Sequence, residues 1–81
     1  MENETVEELI KGGLPGCEVQ VMGDGRHFEA VVISEAFAGK SLLQKQRLVM
    51  AAVKVQIKSD ELHALSIKTF TPEDWAAQEN L

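Results

Sequence analysis

The chain has 81 residues, of which 44% are hydrophobic and 26% charged, and its formal net charge is −5. These proportions are typical of a soluble globular protein, and the length predicts one domain over residues 1–81. The excess of acid argues against tight, sequence-independent nucleic-acid binding, and no stretch approaches the ~18–20 apolar residues of a membrane span. Because the chain starts with acidic rather than apolar residues, we expect a cytoplasmic protein.

The first predicted helix covers residues 5–13. Thr5 and Glu8 have the spacing of a capping box, in which each side chain accepts a hydrogen bond from the backbone N–H of the other residue. The pair Gly12-Gly13 indicates where the helix ends. A short apolar stripe would face the core, and it consists of Val6, Leu9 and Ile10.

Two strands joined by a tight turn are predicted next. Residues 17–22 alternate between apolar and polar side chains, which is typical of a half-buried strand, and the apolar side carries Cys17, Val19 and Val21. The segment 23–25, Gly-Asp-Gly, has the composition of an exposed turn. The β-branched stretch His27–Ile33 then forms the returning strand of a hairpin.

The longest predicted helix follows the hairpin. Residues 34–37 form a helical turn or a loop with Phe37 directed inward, and Ser41 with Gln44 is a second capping box. The helix that starts there is expected to run for about 16 residues, with a basic face. Its apolar stripe consists of Leu42, Leu43, Val49, Met50, Ala52, Val53 and Ile57.

A third strand and a short helix complete the order of elements. Ser59-Asp60 ends the long helix, and residues 62–70 form the strand. Thr71 caps the last helix, Pro72 occupies its first position, and Trp75 is expected to anchor it on the sheet. The order αββαβα predicts an α+β fold, with a mixed three-stranded sheet and helices over one face.

The sequence carries no motif of a hydrolase, a P-loop protein or a zinc protease, so we expect a protein that is not an enzyme. Soft metal ligands are few, namely Cys17, His27 and His63, and a transition-metal site would need further ligands from a partner or a small molecule. Each has a structural interpretation too: Cys17 as a small buried hydrophobe, the histidines as strand residues. His27 and His63 begin the second and third predicted strands. Both histidines could face one partner if those strand ends lie on the same side of the sheet.

Positive charge is concentrated in one stretch without acidic residues. Residues 40–58 hold five of the eight Lys and Arg, namely Lys40, Lys45, Arg47, Lys54 and Lys58. A solvated helix face explains this pattern, and weak DNA contact by the basic helix is the alternative. A KH clamp is not supported, because the only G-x-x-G, at residues 13–16, lies between a helix and a strand rather than between two helices.

Several uncommon segments in the same order resemble the BolA family. The main ones are "GRHFEAVVISEAFAGKSLLQKQRLVMAAV" and "HALSIKTFTPEDW", and the resemblance extends from about Val6 to Trp75. It is strongest to the small bacterial BolA-like proteins with a short hairpin loop. The resemblance implies a single BolA-like domain over residues 1–81 with a class II KH-like fold that lacks the KH clamp.

The resemblance also implies a partner and a cofactor. BolA-like proteins form heterodimers with monothiol glutaredoxins of the CGFS type, bridged by a [2Fe–2S] cluster with glutathione, so the chain would act in iron–sulfur cluster assembly or trafficking and in iron homeostasis. His63 matches the histidine ligand of the family, and imidazole replaces thiolate in Rieske centres too. The short hairpin loop offers no soft ligand for the remaining position, which leaves His27 as the second candidate.

The family also includes transcriptional regulators of stress responses that contact DNA. The residues of this chain that would make such contacts are Lys40, Lys45 and Arg47. Residues 45–47 are Lys-Gln-Arg, where those relatives have Arg-His-Arg. A DNA-binding regulator is therefore the alternative function, and both weak DNA binding and a homodimer stay open.

Overall fold

The computed structural model describes residues 1–62 and 64–79. Within these residues the chain forms four α-helices, three strands and one 3₁₀ turn. In chain order they are α1 (Asn3–Gly13), β1 (Glu18–Gly23), β2 (His27–Ile33), the 3₁₀ turn Glu35–Phe37, α2 (Leu42–Ala52), α3 (Lys54–Lys58), β3 (Ala64–Phe70) and α4 (Pro72–Glu79). None of the helices among these elements is long and apolar enough to cross a membrane.

The sheet has the order β1-β2-β3, so β2 is its central strand. β1 runs antiparallel to β2, with Glu18 opposite Ile33, as the predicted hairpin requires. β2 runs parallel to β3, with His27 opposite Ala64 and Ile33 opposite Phe70. Because parallel neighbours need a crossover, α2 and α3 connect the two strands. The predicted α+β fold and its mixed sheet are confirmed.

The hydrophobic core lies between the sheet and the helices. Phe28, Ala30 and Val32 are the buried alternate residues of β2, whereas Glu29, on the opposite face, forms an ion pair with Lys68 of β3 at 3.1 Å. Each fully buried aliphatic side chain contributes about 1.5–3 kcal/mol. The largest fully buried side chains come from α1, β2, α2 and the segments that connect the elements, namely Phe37, Ile10, Leu62, Val6, Val32, Val49 and Val53.

α1 begins two residues before the predicted start. The backbone carbonyl of Glu2 accepts hydrogen bonds from the N–H groups of Thr5, at 3.1 Å, and Val6, at 3.2 Å. Thr5 therefore lies inside the first turn and is exposed, so the predicted capping box with Glu8 is wrong. Met1 packs against the core cluster that contains Val6, and these are the two positions of a hydrophobic staple. Burial of Met1 favours the longer helix over the local cap.

The predicted 16-residue helix is two helices. The second capping box is confirmed: Gln44 N–H donates to Ser41 Oγ at 3.2 Å, and Ser41 N–H donates to Gln44 Oε1 at 2.9 Å. α2 ends at Ala52, because Val53 leaves the helical conformation (φ −118°, ψ 14°) while its side chain stays in the core. The bend directs α3 so that its Gln56 carbonyl accepts from Leu62 N–H at 3.0 Å.

The predicted apolar stripe is only partly buried. Val49 and Val53 face the core, and Ile57 packs against it. Leu42 and Leu43, at the start of α2, are instead exposed by 69% and 58%. The prediction that Leu42 and Leu43 belong to the buried stripe was wrong, because the first turn of α2 is exposed to solvent.

The last strand and helix are positioned as expected, with one shift. Leu62 is buried but precedes β3, which begins at Ala64. Asp74 N–H donates to Thr71 Oγ1 at 3.2 Å, which confirms Thr71 as the cap of α4. The ring of Trp75 meets that of Phe70 edge-on, with centroids 5.2 Å apart, and so anchors α4 on β3.

Candidate functional site

The starts of β2 and β3 lie side by side at one end of the sheet. The parallel register pairs His27 with Ala64, the residue that follows His63 in the sequence. His63 itself lies outside the described residues, so its predicted role as a metal ligand stays a prediction. The sequence analysis required the starts of the second and third strands to lie together if His27 was to share a partner with the third strand. In the part of the chain that is described, β2 and β3 do start at the same end of the sheet.

The His27 side chain is accessible to a partner. It is 77% exposed and projects on the same side of β2 as Glu29, which is the face away from the core. It lines a shallow groove of about 380 Å³ with Met22, Asp24, Glu29 and Ser66, together with parts of Gly23 and Phe28. An imidazole in this position can bind a group presented by another molecule.

The hairpin turn holds the backbone of His27 in place. Asp24 Oδ1 accepts two hydrogen bonds, from Arg26 N–H at 3.0 Å and from His27 N–H at 2.9 Å. Gly25 has φ +96°, a conformation that favours glycine. A Cβ at Gly23 would collide with the His27 carbonyl oxygen and the Phe28 ring, so this position requires glycine as well. The predicted exposed turn is confirmed with a shift of one residue, because Gly23 ends β1 and the turn occupies residues 24–26.

Asp24 also sets the electrostatic environment of the imidazole. The hydrogen bonds from the N–H groups of His27 and Arg26 hold the pKa of Asp24 below its usual value. Its Oδ2 lies 3.9 Å from His27 Nδ1, within ion-pair range but too far for a hydrogen bond. The Asp24 carboxylate therefore places negative charge beside the imidazole without a direct hydrogen bond to the ring. Sequence analysis missed this role of Asp24, although the spacing Asp-x-x-His signals it.

The described residues supply few ligands for a metal. Among them there is no group of three or more His, Cys, Asp or Glu that could hold a metal ion. Cys17 precedes β1 and lies near Ile33, about 20 Å along β2 from His27 at 3.3 Å per residue. Burial raises the pKa of the Cys17 thiol, so the thiol stays protonated. The structural interpretation of Cys17 is the one that fits.

The three basic residues considered for DNA contact are only partly brought together. Lys40 and Arg47 line one groove beside α2, of about 320 Å³, with Gln44, Leu48 and Ala51. Lys45 is half-buried and does not line this groove. Gln46, which interrupts the apolar stripe in the sequence, donates from Nε2 to the Ile67 carbonyl at 3.0 Å and so fastens α2 to β3.

A comparison with protein families decides the relationship. The model of the BolA-like protein family matches residues 7–74. The chain belongs to the BolA family. The acid stress protein IbaG of Escherichia coli strain K12 is 37% identical over 81 residues, which cover all of this chain and 96% of IbaG.

Solved structures of BolA proteins have the same fold. A bolA protein homologue from Coxiella burnetii has a TM-score of 0.86 and 39% identity, covering 94% of this chain and 97% of that chain. The BolA domain of SufE1 from Arabidopsis thaliana has a TM-score of 0.69 and 31% identity, covering 88% and 92%. The BolA resemblance of the sequence is therefore confirmed, and the matched range includes the positions of both histidines.

Proposed function

We propose that this BolA-family protein is a non-enzymatic accessory protein of iron–sulfur cluster assembly and trafficking, and of iron homeostasis, in the cytoplasm. It would form a heterodimer with a monothiol CGFS glutaredoxin, bridged by a [2Fe–2S] cluster. His63 is the proposed iron ligand, and His27 is the candidate for the second position. The observation that carries the proposal is the parallel register that sets exposed His27 beside Ala64, next in sequence to His63.

The shortage of ligands in this chain supports a shared site. A [2Fe–2S] cluster takes about four protein or thiol ligands, and histidine replaces cysteine on one iron in Rieske centres. At this end of the sheet, His27 is the soft ligand among the described residues. The glutaredoxin cysteine and the thiolate of glutathione would supply the rest. The similarity to the BolA domain of SufE1 favours an iron–sulfur-related role.

The chain's own residues would bind and orient the cargo. A histidine ligates iron as the neutral imidazole, so acid should release it. Asp24 would hold the backbone of His27 at the start of β2 by accepting a hydrogen bond from its N–H at 2.9 Å. The cluster, when bound, would be the cargo that the heterodimer passes on to an acceptor protein. The open face around His27 is wide enough for a protein partner to approach.

The decisive experiment mixes the protein with a CGFS glutaredoxin, glutathione, ferrous iron and sulfide under anaerobic conditions. Visible absorption and circular dichroism should change relative to the glutaredoxin alone, because imidazole replaces thiolate on one iron. His63→Ala should abolish that change, and His27→Ala should speed the loss of the cluster. An unchanged spectrum, or one that His63→Ala leaves intact, would overturn the proposal.

Two further variants serve as matched controls. His63→Cys keeps a soft ligand at the position and should restore a bridged cluster with a different dichroism spectrum. Cys17→Ser should leave the spectrum unaltered, because the thiol is buried about 20 Å along the sheet from His27. If Cys17→Ser also removed the signal, ligation at the His27 end would be the wrong assignment.

A DNA-binding stress regulator is the second candidate, favoured by the placement of Lys40 and Arg47 on one groove. Replacing Lys40 and Arg47 with glutamine should then weaken DNA binding and reduce its dependence on salt, because each phosphate contact adds to that dependence. Gel-shift titration at increasing salt measures this. Loss of all binding by the unmodified protein at physiological salt would contradict a role in transcription.

A further inference from the structure

An open groove runs along the outer side of α2 and α3. It has a volume of about 560 Å³ and a mostly apolar surface, and its lining residues are Arg47, Met50, Ala51, Lys54, Ile57 and Lys58. It is continuous with the groove that contains Lys40, since Arg47 and Ala51 line both. We call the two together the α2–α3 groove. It shares no lining residue with the groove around His27.

The floor of the groove is apolar surface that the chain leaves in contact with water. Met50 is 37% exposed, and Ala51 beside it is exposed as well. Ile57 is half-buried, with one part of its side chain against the core and another lining the groove. Contiguous exposed apolar surface with a polar rim is typical of a protein-binding site.

The rim of the groove is exclusively basic. Its charged residues are Lys40, Arg47, Lys54 and Lys58. All 13 Asp and Glu lie outside residues 40–58, together with three of the eight Lys and Arg, so this stretch carries +5 and the rest of the chain −10. In the part of the chain that the structure describes, Lys68 forms an ion pair with Glu29 and His27 Nδ1 lies 3.9 Å from Asp24 Oδ2, and neither contact uses a groove cation.

We propose that the α2–α3 groove docks an acidic amphipathic helix of a protein partner. Apolar side chains spaced i, i+3/i+4 and i+7 would cover Met50, Ala51 and Ile57, and Asp or Glu on the flanks would pair with the basic rim. The 11 residues of α2 span about 16 Å, which matches roughly three helical turns. This site works independently of cluster binding.

An apolar floor fits a helix better than it fits DNA. Most protein contacts to DNA go to phosphate and sugar groups, which offer nothing apolar to cover Met50 and Ile57. The four cations alone would suit either ligand. The combination of a basic rim with exposed carbon between the charges selects the acidic helix.

The test uses two acetylated synthetic helices with leucine at the same three positions and either glutamate or lysine at the flanking ones. Fluorescence anisotropy measures their binding to the 81-residue chain in its apo form. We expect the acidic helix to bind, and the basic helix to bind at least about tenfold more weakly, because its lysines would be repelled by the basic rim. A tenfold difference requires only a modest change in binding free energy. Added salt should weaken binding of the acidic helix, because it screens the attraction between opposite charges.

Matched variants locate the binding. Met50→Glu should weaken binding of the acidic helix by about tenfold, because the substitution removes an apolar contact and adds a charge of the same sign as the helix. Val55→Glu is the control: it makes the same charge change on α3 at a residue that is 69% exposed and does not line the groove. Lys54→Gln should weaken binding, and Lys11→Gln, on α1, should not. Circular dichroism checks the fold, and Lys54→Gln carries the test if Met50→Glu unfolds.

Four outcomes would overturn the proposal. One is equal binding of the two helices, and another is amide chemical-shift changes that miss Met50, Ala51 and Ile57. A third is a DNA duplex that binds in the groove more tightly than the acidic helix. The last is self-association in sedimentation velocity that Met50→Glu abolishes, because the occupant would then be a second copy of the chain.

Discussion

The two ends of the parallel pair β2–β3 are held in different ways. At the Ile33–Phe70 end, Ser34 N–H donates to the Phe70 carbonyl at 3.0 Å, Trp75 packs on Phe70, and Phe37 is completely buried next to the strand end. At the His27–Ala64 end, hydrogen bonds of a short turn hold the backbone of His27, whose side chain is exposed. The outer face at the His27–Ala64 end is therefore left accessible to a partner, although Phe28, next to His27, is buried in the core.

The largest expected effect distinguishes the two ends by stability. Phe37→Ala should lower the free energy of unfolding by about 3–5 kcal/mol, because it leaves a cavity in the core. His27→Ala, at the exposed end, should stay within about 0.5 kcal/mol of the unmodified protein. Urea denaturation monitored by circular dichroism measures both. A similar loss for both variants would show that the His27 end also belongs to the stabilising core.

Gly23→Ala tests whether the open end has any steric constraint. The new Cβ would collide with the His27 carbonyl oxygen, so we expect a loss of about 1–3 kcal/mol. Gly12→Ala is the control, because no atom lies within 4 Å of its added Cβ in α1. It should stabilise by about 0.5–1 kcal/mol. Thermal unfolding measures whether each variant gains or loses stability. A gain for Gly23→Ala as well as for Gly12→Ala would contradict the geometry of the turn.

Thr71→Ala should cost about 1 kcal/mol at the packed end, because Asp74 N–H loses its acceptor. Thr71→Ser keeps the acceptor and should cost less. Thr5→Ala provides a comparison, since Thr5 lies inside the first turn of α1 and should change stability by no more than about 0.5 kcal/mol. If Thr5→Ala proved as costly as Thr71→Ala in urea denaturation, Thr5 would be a helix cap.

The smallest effect concerns the response of the turn to acid. The folded-state pKa of Asp24 is lowered, chiefly by the His27 and Arg26 N–H groups, so its contribution to stability is present above the unfolded pKa and lost as pH falls through the folded value. Asp24→Asn should therefore be less stable than the unmodified protein at pH 6 and equally stable at the lowest pH. Urea midpoints from pH 6 to pH 2 measure this difference. A difference that does not depend on pH would leave the carboxylate without a role.

Local patterns in the sequence predicted the candidate site only in part. The segment 23–25 predicted the exposed turn, and the β-branched stretch predicted His27 at the start of β2, as the structure has it. The pairing of His27 with Ala64 was not deduced, because it joins residues 37 positions apart through the register of two strands. The hydrogen bonds of Asp24 are local and were missed, although the spacing Asp-x-x-His signals them. That Lys40 and Arg47 line the same groove was likewise not deduced, because it depends on how the segment before α2 packs beside the helix.

The sequence by itself determined the elements whose signals are local. Ser41 with Gln44, and Thr71 with Pro72, mark the starts of helices, and the alternation of apolar and polar residues over 17–22 identified β1. Only the tertiary structure decided where α1 begins, why the long helix bends at Val53, and which apolar residues stay exposed along the α2–α3 groove. Capping and alternation depend on neighbours in the chain, whereas these choices depend on which side chains the core can bury.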